Sequence, residues 1–125
     1  MKWKWIMGAR ILLIEDRPEI SLVLQEILID QGFITDVVGS GREALEFVRQ
    51  TAYDLLITDL ELPDINGLTV IEQCMQISPD IRVLFITGYQ ELMEMARSKI
   101  GKHCQIIEKP CRPQKIIDMV NQLLA

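Results

Sequence analysis

The sequence lacks the features that mark disulfide-bonded, membrane-spanning or disordered chains. Its three cysteines are odd in number and form no Cys-x-x-Cys pair, which argues against a disulfide scaffold and against a zinc site. Only seven glycines and five prolines occur in 125 residues, and 49% of the residues are apolar, as in a single globular domain. No apolar run reaches the roughly eighteen residues that a transmembrane helix needs. We therefore expect a cytoplasmic protein with reduced thiols and no membrane contact.

Positive charge is also scarce, because 13 Lys and Arg residues face 18 Asp and Glu residues, for a net charge of −5. A phosphate backbone would be repelled, so we expect no direct binding of nucleic acid. The amino-terminal stretch MKWKWIMGA contains two lysines, and Arg10 interrupts it before it reaches signal-peptide length. We interpret residues 1–9 as a leader or a flexible end, and residues 10–125 as the folded domain.

Short apolar runs alternate with amphipathic segments along the rest of the chain. The runs Ile11–Ile14, Leu55–Ile57 and Val83–Ile86 carry no charge, as is typical of strands buried on both faces of a parallel sheet. Ile34–Val38 and Gln105–Glu108 are weaker candidates for strands. The sequence therefore predicts five strands.

Helices are predicted after each strand. Pro18 suits the first turn of the first helix, and Gly32 suits the left-handed residue just past its end. This helix is expected to turn one apolar stripe inward, formed by Ile20, Val23, Leu24, Ile27 and Leu28. The other four helices are expected after a Ser40 cap, after Gly67, over residues 90–100 and from about Pro113.

Strand followed by helix, five times over, predicts an α/β fold with helices on both faces of a parallel sheet. The length fits a flavodoxin-like, doubly wound, five-stranded sheet of order 2-1-3-4-5 with five helices. Ligands of such folds bind outside the carboxyl ends of the strands, where the strand order reverses. Functional residues are therefore expected at that edge.

Polar side chains follow four of the five predicted strands. Glu15 and Asp16 follow the first strand, Asp59 the third, Thr87 the fourth and Lys109 the fifth. Carboxylates this close repel one another unless a cation lies among them, and few carboxylates with room for water suit Mg²⁺. A lysine and a hydroxyl can bind phosphate oxygens. Together these groups fit phosphoryl transfer to an aspartate.

These motifs resemble a response-regulator receiver domain of two-component signalling, over nearly the whole chain. Glu15-Asp16 resembles the family's metal-binding pair, and the stretch from Asp59 to Gly67 resembles the loop after its phosphoacceptor. Thr87-Gly88 resembles its hydroxyl residue with the small residue that follows. Lys109-Pro110 resembles its lysine and proline, which are usually joined by a cis peptide bond.

The resemblance implies a role for each of these residues. Asp59 would accept a phosphoryl group from a sensor histidine kinase or a phosphotransfer protein. Asp16 and Asp59 would bind Mg²⁺ directly, Glu15 through water, and the backbone carbonyl of Glu61 would complete the shell. Lys109 would bind Asp59 and then the phosphoryl oxygens. Thr87 would move toward the phosphoryl group and transmit the signal.

The sequence departs from the family at one position of this switch. Ile106 stands three residues before the lysine, where the family often has an aromatic residue that turns inward with the threonine. Tyr89 could supply the aromatic side chain instead, and it flanks the acceptor together with Glu61. We expect the face formed by the fourth helix, the fifth strand and the fifth helix to bind an output partner, or a second copy on phosphorylation, through Tyr89, Met93, Ile106 and Met119.

Two other functions remain as alternatives. An aspartate-nucleophile phosphatase has Asp-x-Asp after a strand, whereas this chain has Glu61 at the third position and no cap insertion. A flavodoxin-like binder of nucleotide or flavin would need a glycine-rich phosphate loop after the first strand, and none occurs. The signalling switch, which acts only on its own aspartate, is the function that the sequence favours.

Overall fold

The computed structural model describes residues 8–59, 66–99 and 103–125, and these form one five-stranded parallel sheet covered by helices. The strand order is β2-β1-β3-β4-β5, which confirms the predicted order. The strands are β1 (Arg10–Ile14), β2 (Ile34–Val38), β3 (Leu55–Asp59), β4 (Arg82–Thr87) and β5 (Cys104–Glu108). The helices are α1 (Pro18–Asp30), α2 (Gly41–Gln50), α3 (Gly67–Ile77), α4 (Gln90–Lys99) and α5 (Pro113–Leu124).

The core lies in two layers, one on each face of the sheet. One layer, the α2–α3 cluster, joins those two helices to strand residues such as Leu56 and Phe85. The other, the α1–α5 cluster, includes Leu28, Ile57 and Val120. Because successive strand residues point to opposite faces, the continuous apolar runs fill both layers at once. This confirms the reading of those runs as strands buried on both faces.

Most predicted helix ends are confirmed. Pro18 occupies the first turn of α1, and Gly32, just beyond its end, has a φ of 94°. The Ser40 hydroxyl accepts a hydrogen bond from the Glu43 backbone N–H at 3.2 Å, which caps α2. Asn66 caps α3 by accepting from the Leu68 N–H at 2.8 Å. The predicted end of α4, at residues 100–101, lies outside the described residues.

The prediction that Val23 belongs to the buried stripe of α1 is wrong, because 52% of Val23 is exposed. The buried side of α1 includes Ser21, whose hydroxyl donates to the Pro18 carbonyl at 3.4 Å. With about 100° per residue, Ser21 draws the centre of the stripe toward Leu24 and Leu28. Val23 then lies about 120° from that centre, on the solvent side of the helix. The apolar residues of α1 are distributed around the whole helix axis, so their pattern alone could not predict which side of the helix is buried.

The described residues before β1 also contact the domain. Ala9 is buried, and its carbonyl accepts from the Ile34 N–H at 2.9 Å. The Gly8 N–H donates to the Gly32 carbonyl at 2.8 Å. The folded structure thus extends at least two residues before Arg10. Among the described residues, no helix is long and apolar enough to cross a membrane.

The three cysteine thiols of the chain are free, and burial sets the direction in which their pKa values shift. Cys74 is buried, whereas Cys104 and Cys111 are half-buried. Burial raises the pKa of Cys74 and that of Cys104 to about 11, and it also raises the pKa of Cys111. The expectation of reduced, partly buried thiols agrees with these positions.

Candidate functional site

Five polar residues lie at or just beyond the carboxyl ends of the strands, and we call this set the acceptor edge: Glu15, Asp16, Asp59, Thr87 and Lys109. Neighbouring parallel strands place these ends together, since the Asp59 Cα is paired with Ile86 and that of Thr87 with Glu108. The strand order reverses between β1 and β3, where β1 leads to Glu15 and β3 ends at Asp59. The acceptor edge therefore lies at the position where this fold type binds ligands.

Asp59 and Lys109 form the central pair of the acceptor edge. The Lys109 ammonium donates a short hydrogen bond to Asp59 Oδ2, and the two side chains are 32% and 11% exposed. The Lys109 backbone N–H also donates to the Thr87 carbonyl at 2.9 Å, and the Lys109–Pro110 peptide is cis. These contacts bring three strand ends to one point. The lysine charge is therefore available to any anion that forms on Asp59.

Glu15 and Asp16 supply further carboxylates beside this pair. The Glu15 backbone N–H donates to the Val38 carbonyl at 2.9 Å, which fixes the turn after β1. Burial raises the pKa of Glu15, and the Asp16 side chain raises it further, whereas Arg17 and Lys109 oppose the rise. Asp16 itself is exposed. The acidic pair thus offers one partly shielded and one open carboxylate.

Thr87 is fully buried at the end of β4 and has one hydrogen bond that fixes its hydroxyl. Its Oγ1 accepts from the Tyr89 backbone N–H at 3.2 Å. A hydroxyl retains its own proton for donation when it accepts in this way. The Tyr89 ring is 55% exposed, so in this structure it does not occupy the inward position of the aromatic residue that Ile106 replaces.

The donor set fits Mg²⁺ better than it fits a cage-forming metal. In residues 8–59, 66–99 and 103–125, no three His, Cys, Asp or Glu side chains surround a common point. Mg²⁺ does not need such a cage, because it binds through one or two carboxylates and keeps several waters. Asp16 and Asp59 provide two carboxylates of this kind next to an open surface. The remaining predicted ligand, the carbonyl of Glu61, lies outside the described residues.

A cavity of about 530 Å³ opens beside the acceptor edge, between α1 and α5. Glu15, Asp59 and Lys109 form its polar rim. Its wall is largely apolar and includes Ile20, Leu24, Ile86, Cys111 and Ile116. The cavity therefore places the polar groups of the acceptor edge and an apolar surface side by side.

Sequence reasoning missed two polar contacts of the site. Arg17 places its guanidinium Nε 3.8 Å from Glu15 Oε2, and its backbone N–H is 3.4 Å from the same oxygen. The buried Thr58 hydroxyl donates to the Asp59 carbonyl at 2.8 Å. The position of Arg17 directly after the acidic pair was a usable signal. Thr58 gave none, because a threonine inside a strand is ordinary.

The predicted apolar patch on α4, β5 and α5 is not continuous. Met93 is buried, and Met119 packs against the α1–α5 cluster, whereas Ile106 packs against the α2–α3 cluster. Ile106 and Met119 therefore lie in opposite layers of the molecule. Tyr89 is exposed, and Ile106 and Met119 are each partly accessible, so the accessible members do not form one surface.

Comparisons with known proteins relate the chain to one family. The family model for the response regulator receiver domain matches residues 11–121. The chemotaxis protein CheY of Thermotoga maritima is 26% identical over 94% of this chain and 98% of its own length. Sporulation initiation phosphotransferase F of Bacillus subtilis is 29% identical over 95% and 96%. A response regulator receiver protein from Sinorhizobium medicae superposes with a TM-score of 0.84 at 29% identity, covering 94% of each chain.

Proposed function

The chain belongs to the response regulator receiver domain family and is a phosphorylation-activated signalling switch, and we propose that Asp59 is its phosphoacceptor. The observation that carries this proposal is the contact of the Lys109 ammonium with Asp59 at the point where the strand order reverses. Within the acceptor edge, Asp59 is the carboxylate that this lysine holds. The acidic pair and the buried hydroxyl lie at the neighbouring strand ends.

The reaction follows from these positions. An Asp59 carboxylate oxygen attacks the phosphorus of a phosphohistidine on a histidine kinase or a phosphotransfer protein. The phosphorus–nitrogen bond breaks, and the leaving imidazole keeps the electron pair and takes up a proton. Asp16 and Asp59 would hold Mg²⁺, which supplies charge neutralisation between the carboxylates and the incoming phosphoryl oxygens. The domain acts on its own side chain and has no separate substrate.

Lys109 and Thr87 act after the transfer. The Lys109 ammonium moves from sharing the carboxylate to binding a phosphoryl oxygen, which is a charge-assisted hydrogen bond. The Thr87 hydroxyl donates its free proton to another phosphoryl oxygen. Because the Thr87 carbonyl and the Lys109 N–H are hydrogen-bonded to each other, the two responses are mechanically linked. The contacts of Lys109 and Thr87 with the phosphoryl group stabilise one conformation of the domain over the other, and this difference shifts the switch between its two states.

The output of the switch is proposed to leave through α4, β5 and α5. Thr87 ends β4 and directly precedes the exposed Tyr89 and α4, while Lys109 directly follows β5. A partner or a second copy would contact this surface in the phosphorylated state. Replacing the half-buried Ile106 by Lys should then abolish phosphorylation-dependent association in sedimentation, with phosphoryl transfer to Asp59 preserved. Normal association of that variant would place the output surface elsewhere.

The acceptor assignment is tested with a small acyl phosphate and Mg²⁺ as phosphodonor and cation. The wild-type chain should gain an acid-stable, base-labile phosphate, and Asp59→Asn should gain none. Asp80→Asn is the matched control, because Asp80 is an exposed aspartate in the turn before β4 and should leave labelling unchanged. Labelling of the Asp59→Asn chain at the wild-type rate would disprove the assignment. Repeated release of phosphate from free phosphate esters would favour the phosphatase alternative.

A further inference from the structure

Thr58 lies directly before the proposed acceptor, and its side chain is fully buried. In the registers of the sheet, Thr58 is paired with Ile14 of β1 and with Phe85 of β4. Both partners belong to the α2–α3 cluster, and paired residues of neighbouring parallel strands point to the same face. The Thr58 hydroxyl is therefore enclosed in the apolar layer between the sheet and the helices α2 and α3.

A hydroxyl in such a layer costs free energy unless it makes a hydrogen bond, and a valine would fill the same space without that cost. The Thr58 hydroxyl does make one, because its Oγ1 donates to the backbone carbonyl of Asp59 at 2.8 Å. The buried Thr35 hydroxyl in β2 has no hydrogen-bond partner among the described residues, so burial of a threonine in this sheet does not by itself produce such a bond. The hydrogen bond of Thr58 therefore depends on its place beside Asp59.

This hydrogen bond holds the backbone of Asp59 at the point where β3 leaves the sheet. The register of β3 with β1 ends at Thr58, whereas its register with β4 continues to Asp59, the last residue of the strand. The ends of secondary-structure elements open most easily, because fewer neighbouring groups hold them. A hydrogen bond from a fully buried side chain anchors this strand end to the core.

The anchor and the carboxylate of Asp59 lie on opposite faces of the sheet. Asp59 is paired with Ile86 of the α1–α5 cluster, so its side chain points away from the Thr58 hydroxyl and meets Lys109. Asp59 is thus held at its carbonyl by Thr58 and at its carboxylate by Lys109. In the proposed reaction Lys109 moves to a phosphoryl oxygen, whereas the Thr58 hydrogen bond involves no reacting atom and can persist throughout the transfer.

We propose that Thr58 is a positioning residue for phosphoryl transfer to Asp59. By fixing the Asp59 carbonyl, its hydroxyl restricts the backbone torsions of the residue that carries the attacking carboxylate. The carboxylate is then oriented before the phosphodonor arrives, and a small misplacement of a reacting group lowers a rate strongly. This inference rests on the proposed assignment of Asp59 as the acceptor, and Thr58 itself makes and breaks no covalent bond.

Substitutions that change the hydroxyl and little else test this role. Thr58→Val keeps the shape of the side chain and should slow phosphorylation of Asp59 by the small acyl phosphate and Mg²⁺ about three- to tenfold, the factor expected for one lost hydrogen bond. Thr58→Ser keeps the hydroxyl and should restore most of the wild-type rate. Thr35→Val is the matched control, because it removes a buried hydroxyl without a partner among the described residues, and it should leave the rate unchanged.

A second comparison uses two smaller side chains, in case Thr58→Val does not fold. Thr58→Ala and Thr58→Ser differ only by the hydroxyl, and the alanine variant should be slower by the same factor. Without Mg²⁺ and phosphodonor, the ¹³C chemical shift of the Asp59 carbonyl should change in Thr58→Val and Thr58→Ala and stay unchanged in Thr35→Val. Circular dichroism identifies the variants that are folded.

A wild-type rate in folded Thr58→Val would overturn the positioning role, and so would equal rates in Thr58→Ser and Thr58→Ala. Equal slowing in Thr35→Val would also overturn it, because the effect would then follow from the loss of any buried hydroxyl. Phosphorylation of Asp59→Asn at the wild-type rate would instead disprove the acceptor assignment. If Asp59→Asn stays unphosphorylated while Thr58→Val reacts normally, only the role of Thr58 is wrong.

Discussion

Along β3, Leu56 is fully buried without charge, whereas Asp59, three residues later, holds an ion pair at the acceptor edge. The same contrast separates the interior of the sheet from its carboxyl edge on β4. Apolar burial in the interior provides stability, and the polar strand ends provide a place where charges meet. The comparison teaches that stability and chemistry are separable within a single strand. Substitutions in the two regions should therefore have effects of different kinds.

The largest loss of stability is expected in the interior. Leu56→Ala removes a fully buried side chain and should lower the free energy of unfolding by about 2–5 kcal/mol. Ile77→Ala, at a site with 41% exposure, is the control and should cost far less. Urea unfolding measures both. The folded Leu56→Ala protein should still be phosphorylated on Asp59 by the small acyl phosphate. Loss of phosphorylation in folded protein would show that stability and chemistry are not separable in this strand.

A buried polar contact should rank next. The Tyr53 hydroxyl donates to Asp36 Oδ2 at 2.6 Å, and Tyr53→Phe should cost about 1–2 kcal/mol. Burial, the hydrogen bond with Asp36 and the Asp36 charge raise the pKa of Tyr53 above its ordinary value of 10.0. Because the pKa of this hydroxyl is higher in the folded than in the unfolded protein, it stabilises the fold at pH values below the unfolded-state pKa. This contribution is lost as the pH rises through the folded-state pKa. The stability gap between wild type and variant should therefore shrink above pH 10.0, and a widening gap would contradict this.

At the acceptor edge, Asp16→Ala should change stability by less than about 0.5 kcal/mol without Mg²⁺, because the side chain is exposed. The same change removes a proposed ligand and should weaken Mg²⁺ binding by at least about tenfold, as loss of metal-site partners typically does. Asp80→Ala is the control in a Mg²⁺ titration. Equal Mg²⁺ affinity in the two variants would show that Asp16 is not a ligand of the metal ion.

Lys109→Ala, measured with Mg²⁺, should also have only a small effect on stability, since the cation offsets the lost charge among the carboxylates. We expect the free energy of unfolding to change by about 1 kcal/mol or less. Lys115→Ala, at an exposed position of α5, is the control. Phosphorylation-dependent chemical shifts at Thr87 and Tyr89 should nevertheless disappear. Their persistence would show that Lys109 does not transmit the signal.

The fold could be predicted because its strands are uninterrupted apolar runs whose ends carry polar residues. Strand starts were missed by one residue where half-buried polar side chains, such as Arg10 and Arg82, begin the strands. The acceptor edge could be predicted because parallel strands bring Asp59, Thr87 and Lys109 to one edge whatever their loops do. Their roles at the edge stay predictions.

Side-chain direction was harder to predict than strand position. Met119 and Ile106 are both partly buried apolar residues, yet the pleat of β5 and the rotation of α5 place them in opposite layers. Val23 was misplaced because apolar residues surround α1, so the position of its buried side depended on Ser21. The direction of such residues is set by packing partners distant in sequence, which local periodicity does not contain.

The burial of the thiols has a consequence for what the switch can sense. With a pKa of about 11, Cys74 and Cys104 are ionised in only about one molecule in ten thousand at neutral pH. The thiolate is the form that oxidants attack, and burial also raises the pKa of Cys111 beside the cavity. Oxidation of these thiols is therefore expected to be slow at neutral pH, which makes the cysteines poor candidates for a redox signal in this switch.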